Sequence, residues 1–164
     1  MEKTIPVEKN RNYIVDITGL TSEGLGVAKI EGFTVFVEGA LPKEQSEIRI
    51  VKVLKSYAFG KLLKTLKAAA CRIEPSCGVV KRCGGCQLQH MSYEAQLRYK
   101  TLQVKDALER IGGFKGVSVN DAIGMKDSWR YRNKAQFPVG MDRDVKIGFY
   151  ANRSHEIIDT PQCS

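Results

Sequence analysis

The chain lacks any apolar run of the length that crosses a bilayer, about eighteen residues or more. Its opening, Met1 to Asn10, has no apolar core of signal-peptide length. Both absences read as a cytoplasmic protein with no membrane partner. Histidine is scarce: His90 and His155 stand alone, and neither has a nucleophile near it in sequence. No Ser-His-Asp set or carboxylate pair is legible, so no catalytic residue is expected within these 164 residues. Gly24-Leu25-Gly26 is no dinucleotide fingerprint, because Lys29 occupies the third glycine position and no helical pattern follows. It reads as a turn. Internal repeats and low-complexity tracts are missing too.

What is present is cationic. Twenty-six Lys and Arg oppose eighteen Asp and Glu, a formal charge of +8 and a pI near 9.3, the sign expected of a protein that meets phosphate. From Tyr13 to Leu66 short alternating segments recur: Tyr13, Val15 and Ile17 against Ile14, Asp16 and Thr18, then Phe33, Val35 and Val37 against Thr34, Phe36 and Glu38. Turn-like separators lie at Gly19, Gly24 to Gly26, Gly32 and Gly39 to Pro42. The alternation changes phase between Ile50 and Val51, as a β-bulge at a barrel corner would require. About five strands without a long helix predict a small barrel of the oligonucleotide-binding kind over residues 10–67, after a tail of residues 1–9. Residues 68–164 read as α+β. A helix is expected after Ser92 as cap, with Leu97, Thr101, Val104, Leu108 and Ile111 on one face and Gly112-Gly113 ending it. Strands are expected over Lys134 to Val139, Val145 to Tyr150 and His155 to Asp159.

Five cysteines in a reducing compartment speak for metal or redox chemistry rather than a disulfide framework. Cys77, Cys83 and Cys86 form C-x5-C-x2-C, and Cys163 lies far downstream. Four soft thiolates suit an iron–sulfur cluster, and Gly84-Gly85 would let backbone N–H groups approach its sulfur. Structural zinc usually takes two short-spaced pairs, of which one is missing here. Iron–sulfur is the preferred reading, and zinc or unliganded thiols stay open. Cys71, beside Ala68 to Ala70, reads as a small buried hydrophobe.

The run from Ser76 to Met91, SCGVVKRCGGCQLQHM, closely resembles the cluster segment of the bacterial RNA uracil-5-methyltransferases, which make 5-methyluridine in ribosomal or transfer RNA. Trp129 to Lys134, Gly148-Phe-Tyr150, His155 to Asp159 and Pro161-Gln-Cys163 agree with it. Glu23 to Ala28 and Val35 to Pro42 resemble a TRAM domain. Lys43 departs from that pattern, where glycine is common, and this bears on the local turn. The resemblance implies a 4Fe-4S cluster on Cys77, Cys83, Cys86 and Cys163. It also implies methyl transfer from S-adenosylmethionine to uridine C5 through a cysteine adduct, in a C-terminal Rossmann-like domain absent from this chain. The chain itself is expected to bind RNA and the cluster, to bind no S-adenosylmethionine and to be inactive alone. Ribosomal RNA is favoured over transfer RNA, and DNA is not expected. A free-standing RNA-binding module with an iron–sulfur or zinc site is the rival reading.

Between Ile48 and Ile73 stand seven basic residues and no acid. Of these, Arg49, Lys52, Lys55, Lys61 and Lys64 are the principal candidates for RNA phosphate, and Tyr57 and Phe59 for stacking on bases or for the barrel core. Arg130, Arg132 and Lys134 would share one face if they lie on a strand, a second candidate RNA contact.

Overall fold

The computed structural model describes residues 5–163 and divides into two compact units, the first ending at Arg72 and the second beginning at Ile73. The first holds six strands: β1 (Asn12–Asp16), β2 (Gly19–Leu20), β3 (Leu25–Ile30), β4 (Phe33–Glu38), β5 (Gln45–Val53) and β6 (Tyr57–Lys67). Their order across the sheet is β1-β5-β6-β4-β3-β2. The sheet curls into a half-barrel. Its outer strands β1 and β2 are consecutive pieces of one run of chain: Ile17 bonds to Glu44 beside β5, while Thr18 already bonds to Val27 on β3.

Strict alternation sends Val15, Ile17, Val35, Val37, Ile48 and Ile50 inward, and all are 5% exposed or less. Val7 joins them, so the packed chain begins ahead of Asn10. Deleting one of the larger of these side chains, such as Ile48, costs about 2–5 kcal/mol. The phase change in β5 appears as a register shift between Ile50 and Lys52, one of three irregularities along β5 and β6 that bend the sheet round its core. β4 and β6 run parallel, whereas the other pairs in this sheet are antiparallel.

In the second unit helix α1 spans Tyr93–Asp106 and continues as one wider π turn over Ala107–Ile111. Ser92 holds the cap position without a side-chain cap bond, contrary to expectation; its carbonyl accepts from Gln96 N–H at 3.0 Å. Gly113 ends the helix at φ 73°, and Phe114 N–H returns to Leu108 O at 3.1 Å. The expected apolar face is half-buried at Leu97, Thr101 and Leu108, where Ala122 N–H donates to Thr101 Oγ1, whereas Val104 and Ile111 are 51% and 88% exposed. A three-stranded antiparallel sheet follows, β7 (Val139–Met141), β8 (Val145–Tyr150) and β9 (Ile157–Asp159). The strand expected from Lys134 starts only at Val139, and residues 129–134 are irregular. Among the described residues no helix is long and apolar enough to cross a membrane.

Candidate nucleic-acid interface and cysteine site

The outward face of β4 and β6 carries what the core rejects. Inward positions of β6 are small, Ala58 and Gly60, and a Cβ on Gly60 would meet Ile48 Cδ1 at 2.9 Å. A ring at these two positions would find no room inside. Tyr57 and Phe59 instead occupy the opposite face, half-buried, where Phe36 joins them. The three ring centroids lie 5.4, 5.6 and 5.9 Å apart. Of the two roles open to Tyr57 and Phe59 in the sequence, core packing is ruled out. Phe36 was legible as out of phase with Val35 and Val37, but its meeting with β6 depends on the parallel pairing, which sequence alone does not reveal.

The cations follow the same face. Lys52 stands beside Phe59 and Arg49 beside Lys61, all four cross-strand neighbours on the outer surface. Arg49 Nε donates to Asn12 Oδ1 at 3.0 Å. Lys55 is exposed in the β5–β6 turn. The run that is free of acids in sequence is not so in space: register places Glu38 next to Lys61 and Glu47 next to Lys64. Arg72 is taken up altogether, its guanidinium gripping Glu44 through two nitrogens and Gly39 O at 2.7 Å. Glu44 is 1% exposed and also accepts Leu41 N–H at 2.9 Å and Ala69 N–H at 3.3 Å. Burial alone would raise its carboxyl pKa. The Arg72 hydrogen bond, those from Leu41 and Ala69, and the guanidinium charge outweigh burial and hold it below its ordinary value. The least compensated cations are thus Lys52 and Lys55.

In the second unit a tight turn folds the first cysteines together, with Val80 N–H on Cys77 O at 3.3 Å and Cys83 N–H on Val79 O at 2.9 Å. Cys83 is buried and bridges to Ala151 just past β8, and Gly84 N–H donates to Tyr150 O at 2.9 Å. A Cβ on Gly84 would meet that same oxygen at 2.7 Å, so glycine is what allows the close approach. Arg82 and Glu156, 2.6 Å apart, brace the same junction. Gly85 N–H lies 3.4 Å from Cys83 Sγ. Cys77 is half-buried, and Cys86 and Cys163 are exposed. Cys163 borders an open depression lined by Phe137, Ile147, Asp159 and Pro161. Partial loss of hydration, then the neighbouring Cys86, Cys83 and Cys77, push its thiol pKa up, and Arg132 pulls it down. Cys163 thus lies within electrostatic reach of the other three cysteines, while among the described residues no three His, Cys, Asp or Glu side chains are arranged as a metal-binding group. Cys71 is half-buried in the first unit.

Arg130, Arg132 and Lys134 are exposed but do not share a strand face. Arg130 turns the backbone through φ 54°, and Arg132 sits 5.9 Å from the Tyr131 ring centroid. The two-residue period was a poor guide because this segment has no strand partner.

Residues 6–63 match the family model of the TRAM domain. Over 164 residues the chain is 52% identical to an uncharacterized RNA methyltransferase of Clostridium tetani, covering 99% of this chain and 35% of that protein. It is also 52% identical over 159 residues to one of Halalkalibacterium halodurans, covering 96% and 35%, and 47% identical over 159 residues to one of Staphylococcus aureus, again 96% and 35%. A solution structure of a conserved protein from Methanococcus maripaludis is 31% identical with a TM-score of 0.36, covering 37% of this chain and 87% of that one. The first unit is thus a TRAM domain. Beyond that domain the chain is similar along nearly its whole length to proteins named RNA methyltransferases, and it spans about a third of the length of the curated relatives it matches.

Proposed function

We propose that this chain is part of an S-adenosylmethionine-dependent RNA (uracil-5-)-methyltransferase, with ribosomal RNA as the favoured substrate. In it the TRAM unit captures RNA, and the second unit holds a 4Fe-4S cluster on Cys77, Cys83, Cys86 and Cys163. The carrying observation is that the cysteine loop docks on the end of β8, whose partner strand β9 leads to Cys163, in a chain related along nearly its whole length to proteins named RNA methyltransferases. The donor chemistry supports it: four soft thiols, a Gly-Gly step with no room for a side chain at Gly84, and an N–H at Gly85 turned to sulfur. As they stand the sulfurs do not close a shell, so ligation would draw Cys86 and Cys163 inward. Bound there, the cluster would supply a crosslink between the cysteine loop and the segment after β9, since methyl transfer through a cysteine adduct requires no electron transfer. This chain's own part is to hold RNA, while the reacting groups belong to sequence outside it.

Protein purified without oxygen is expected to be brown, with about four irons and equal acid-labile sulfide. Cys83→Ser should abolish the colour and Cys71→Ser should leave it. Stoichiometric zinc without sulfide, after growth with ample iron, would sink the cluster assignment. For the reaction, the full-length enzyme should place label from methyl-labelled S-adenosylmethionine on C5 of uridine in ribosomal RNA. Label on any other atom would overturn the uracil-5 assignment, and label in transfer RNA alone the choice of substrate.

A further inference from the structure

The outer face of the TRAM sheet holds a structure that a core-forming role does not explain. Phe36, Tyr57 and Phe59 sit across two parallel strands, opposite in phase to the buried Val35, Val37 and Ala58, with ring centroids within 6 Å of one another. Large rings on an outer surface expose apolar area to water at a cost, and here they remain partly exposed. The residues that border them are mostly cationic: Lys52 directly beside Phe59, Lys61 two residues along the same face and Arg49 beside it, and Lys29 across β4 next to Thr34. Two acids also lie on this side, Glu38 beside Lys61 and Glu47 beside Lys64, and Glu47 is linked to Arg49 through Asn12, so Lys52 is the cation nearest the rings without an acid beside it. A flat apolar group that carries regularly spaced negative charge is the ligand that fits, and an unpaired nucleotide strand is that ligand. Duplex RNA hides its base faces and would meet the lysines only.

We propose that Phe36, Tyr57 and Phe59 form a stacking platform for unpaired bases of single-stranded RNA, with Lys52 and Lys61 on the flanking phosphates, so that this face of the sheet selects unstructured RNA without reading its sequence. The proposal rests on the RNA-binding reading of the first unit and deepens it. Stacking is insensitive to salt and phosphate contact is not, so the two halves of the platform separate in one titration.

The test uses the whole 164-residue chain and a fluorescently labelled twelve-nucleotide oligouridylate, with oligoadenylate and a duplex of the same length as comparisons. Phe59→Leu and Tyr57→Leu keep apolar bulk on the outer face but remove the ring. Each should weaken single-strand binding about ten-fold, leave the salt slope unchanged and leave duplex binding unmoved. Tyr57→Phe should restore wild-type affinity. Lys52→Gln with Lys61→Gln should reduce the salt slope for single strand and duplex alike. Thermal unfolding of each variant within a few degrees of wild type shows that the fold persists, and Tyr57→Phe carries the test should a leucine variant not fold, since a loss of affinity there would contradict stacking. Leucine variants that bind the single strand within two-fold of wild type would overturn the platform and leave RNA binding by the unit intact. A wild-type chain that binds neither strand form at moderate salt would instead overturn the underlying reading.

Discussion

Replacing Arg72 by Met tests whether the buried Glu44 carboxylate is the closure of the TRAM unit. Glu44 receives four hydrogen bonds, two from Arg72 and one each from the N–H groups of Leu41 and Ala69. Removing one partner of a buried ion pair costs about 3–5 kcal/mol. Here the Glu44 side chain is fully buried while that of Arg72 is 22% exposed, and two backbone donors stay behind. The lower end applies, about 3 kcal/mol, a large part of a small domain's stability of about 5–15 kcal/mol. Urea unfolding followed by circular dichroism measures the loss, and amide exchange at Leu41 and Ala69 assigns it to this unit. Glu44→Gln with Arg72→Met should lose less than the two singles summed, because no unpaired charge then remains. The carboxyl is held below its ordinary pKa, so the pair's contribution is present above the unfolded-state value and fades as pH falls through the folded-state value. Glu44→Gln should lack that part of the acid sensitivity. A loss below about 1 kcal/mol for Arg72→Met would refute the reasoning, since that is the scale of an exposed pair.

Lys43 sits at φ 72° with its N–H on Ile17 O at 2.8 Å, so Lys43→Gly should raise the unfolding free energy by about 0.5–1 kcal/mol; a loss would show that the lysine side chain does more than tolerate the turn. Gly84→Ala should loosen the junction with Tyr150, read as lost protection of the Gly84 amide, and unchanged exchange would refute the steric argument. If RNA meets the TRAM unit at about four phosphates, log K against log salt should slope near −3, and replacing Lys52, Lys55 and Lys61 with Gln should flatten it. An unchanged slope would move the contact to Arg130, Arg132 and Lys134. Val139, Met141, Val145 and Ile147 pair across β7 and β8 to make one apolar face, 49–80% exposed. Met141→Lys with Val145→Lys should lower concentration-dependent association in sedimentation, and no change would place the sticky surface elsewhere.

The alternation of Val35 and Val37 with Thr34 and Phe36, and the phase change after Ile50, made most of the β unit readable, because period-two burial is a local property. The aromatic faces were not readable. Whether Tyr57 and Phe59 point in or out depends on the Ala58 and Gly60 positions meeting Ile48 and Val35, a non-local packing fact. The acid-free run misled for the same reason, since Glu38, Glu44 and Glu47 return to it through strand register. In the second unit the cysteine spacing pointed to a loop that docks on β8, beside the strand leading to Cys163, while among the described residues no metal-binding group is assembled. The strand expected over residues 134–139 failed where no partner strand pairs with it, and the apolar helix face is half-covered only at Leu97, Thr101 and Leu108.

The register of the first sheet also sets a timetable. β1 has no ladder partner until β5 exists, the second edge of β4 waits for β6, and the Glu44 carboxylate waits for Arg72. On a ribosome, where the front of a chain folds first, the unit stays an unfinished ribbon through most of its synthesis and then closes at once, with Cys77 next to emerge a few residues later. The outer face of the first sheet can thus be complete before the thiols of the second unit have all emerged.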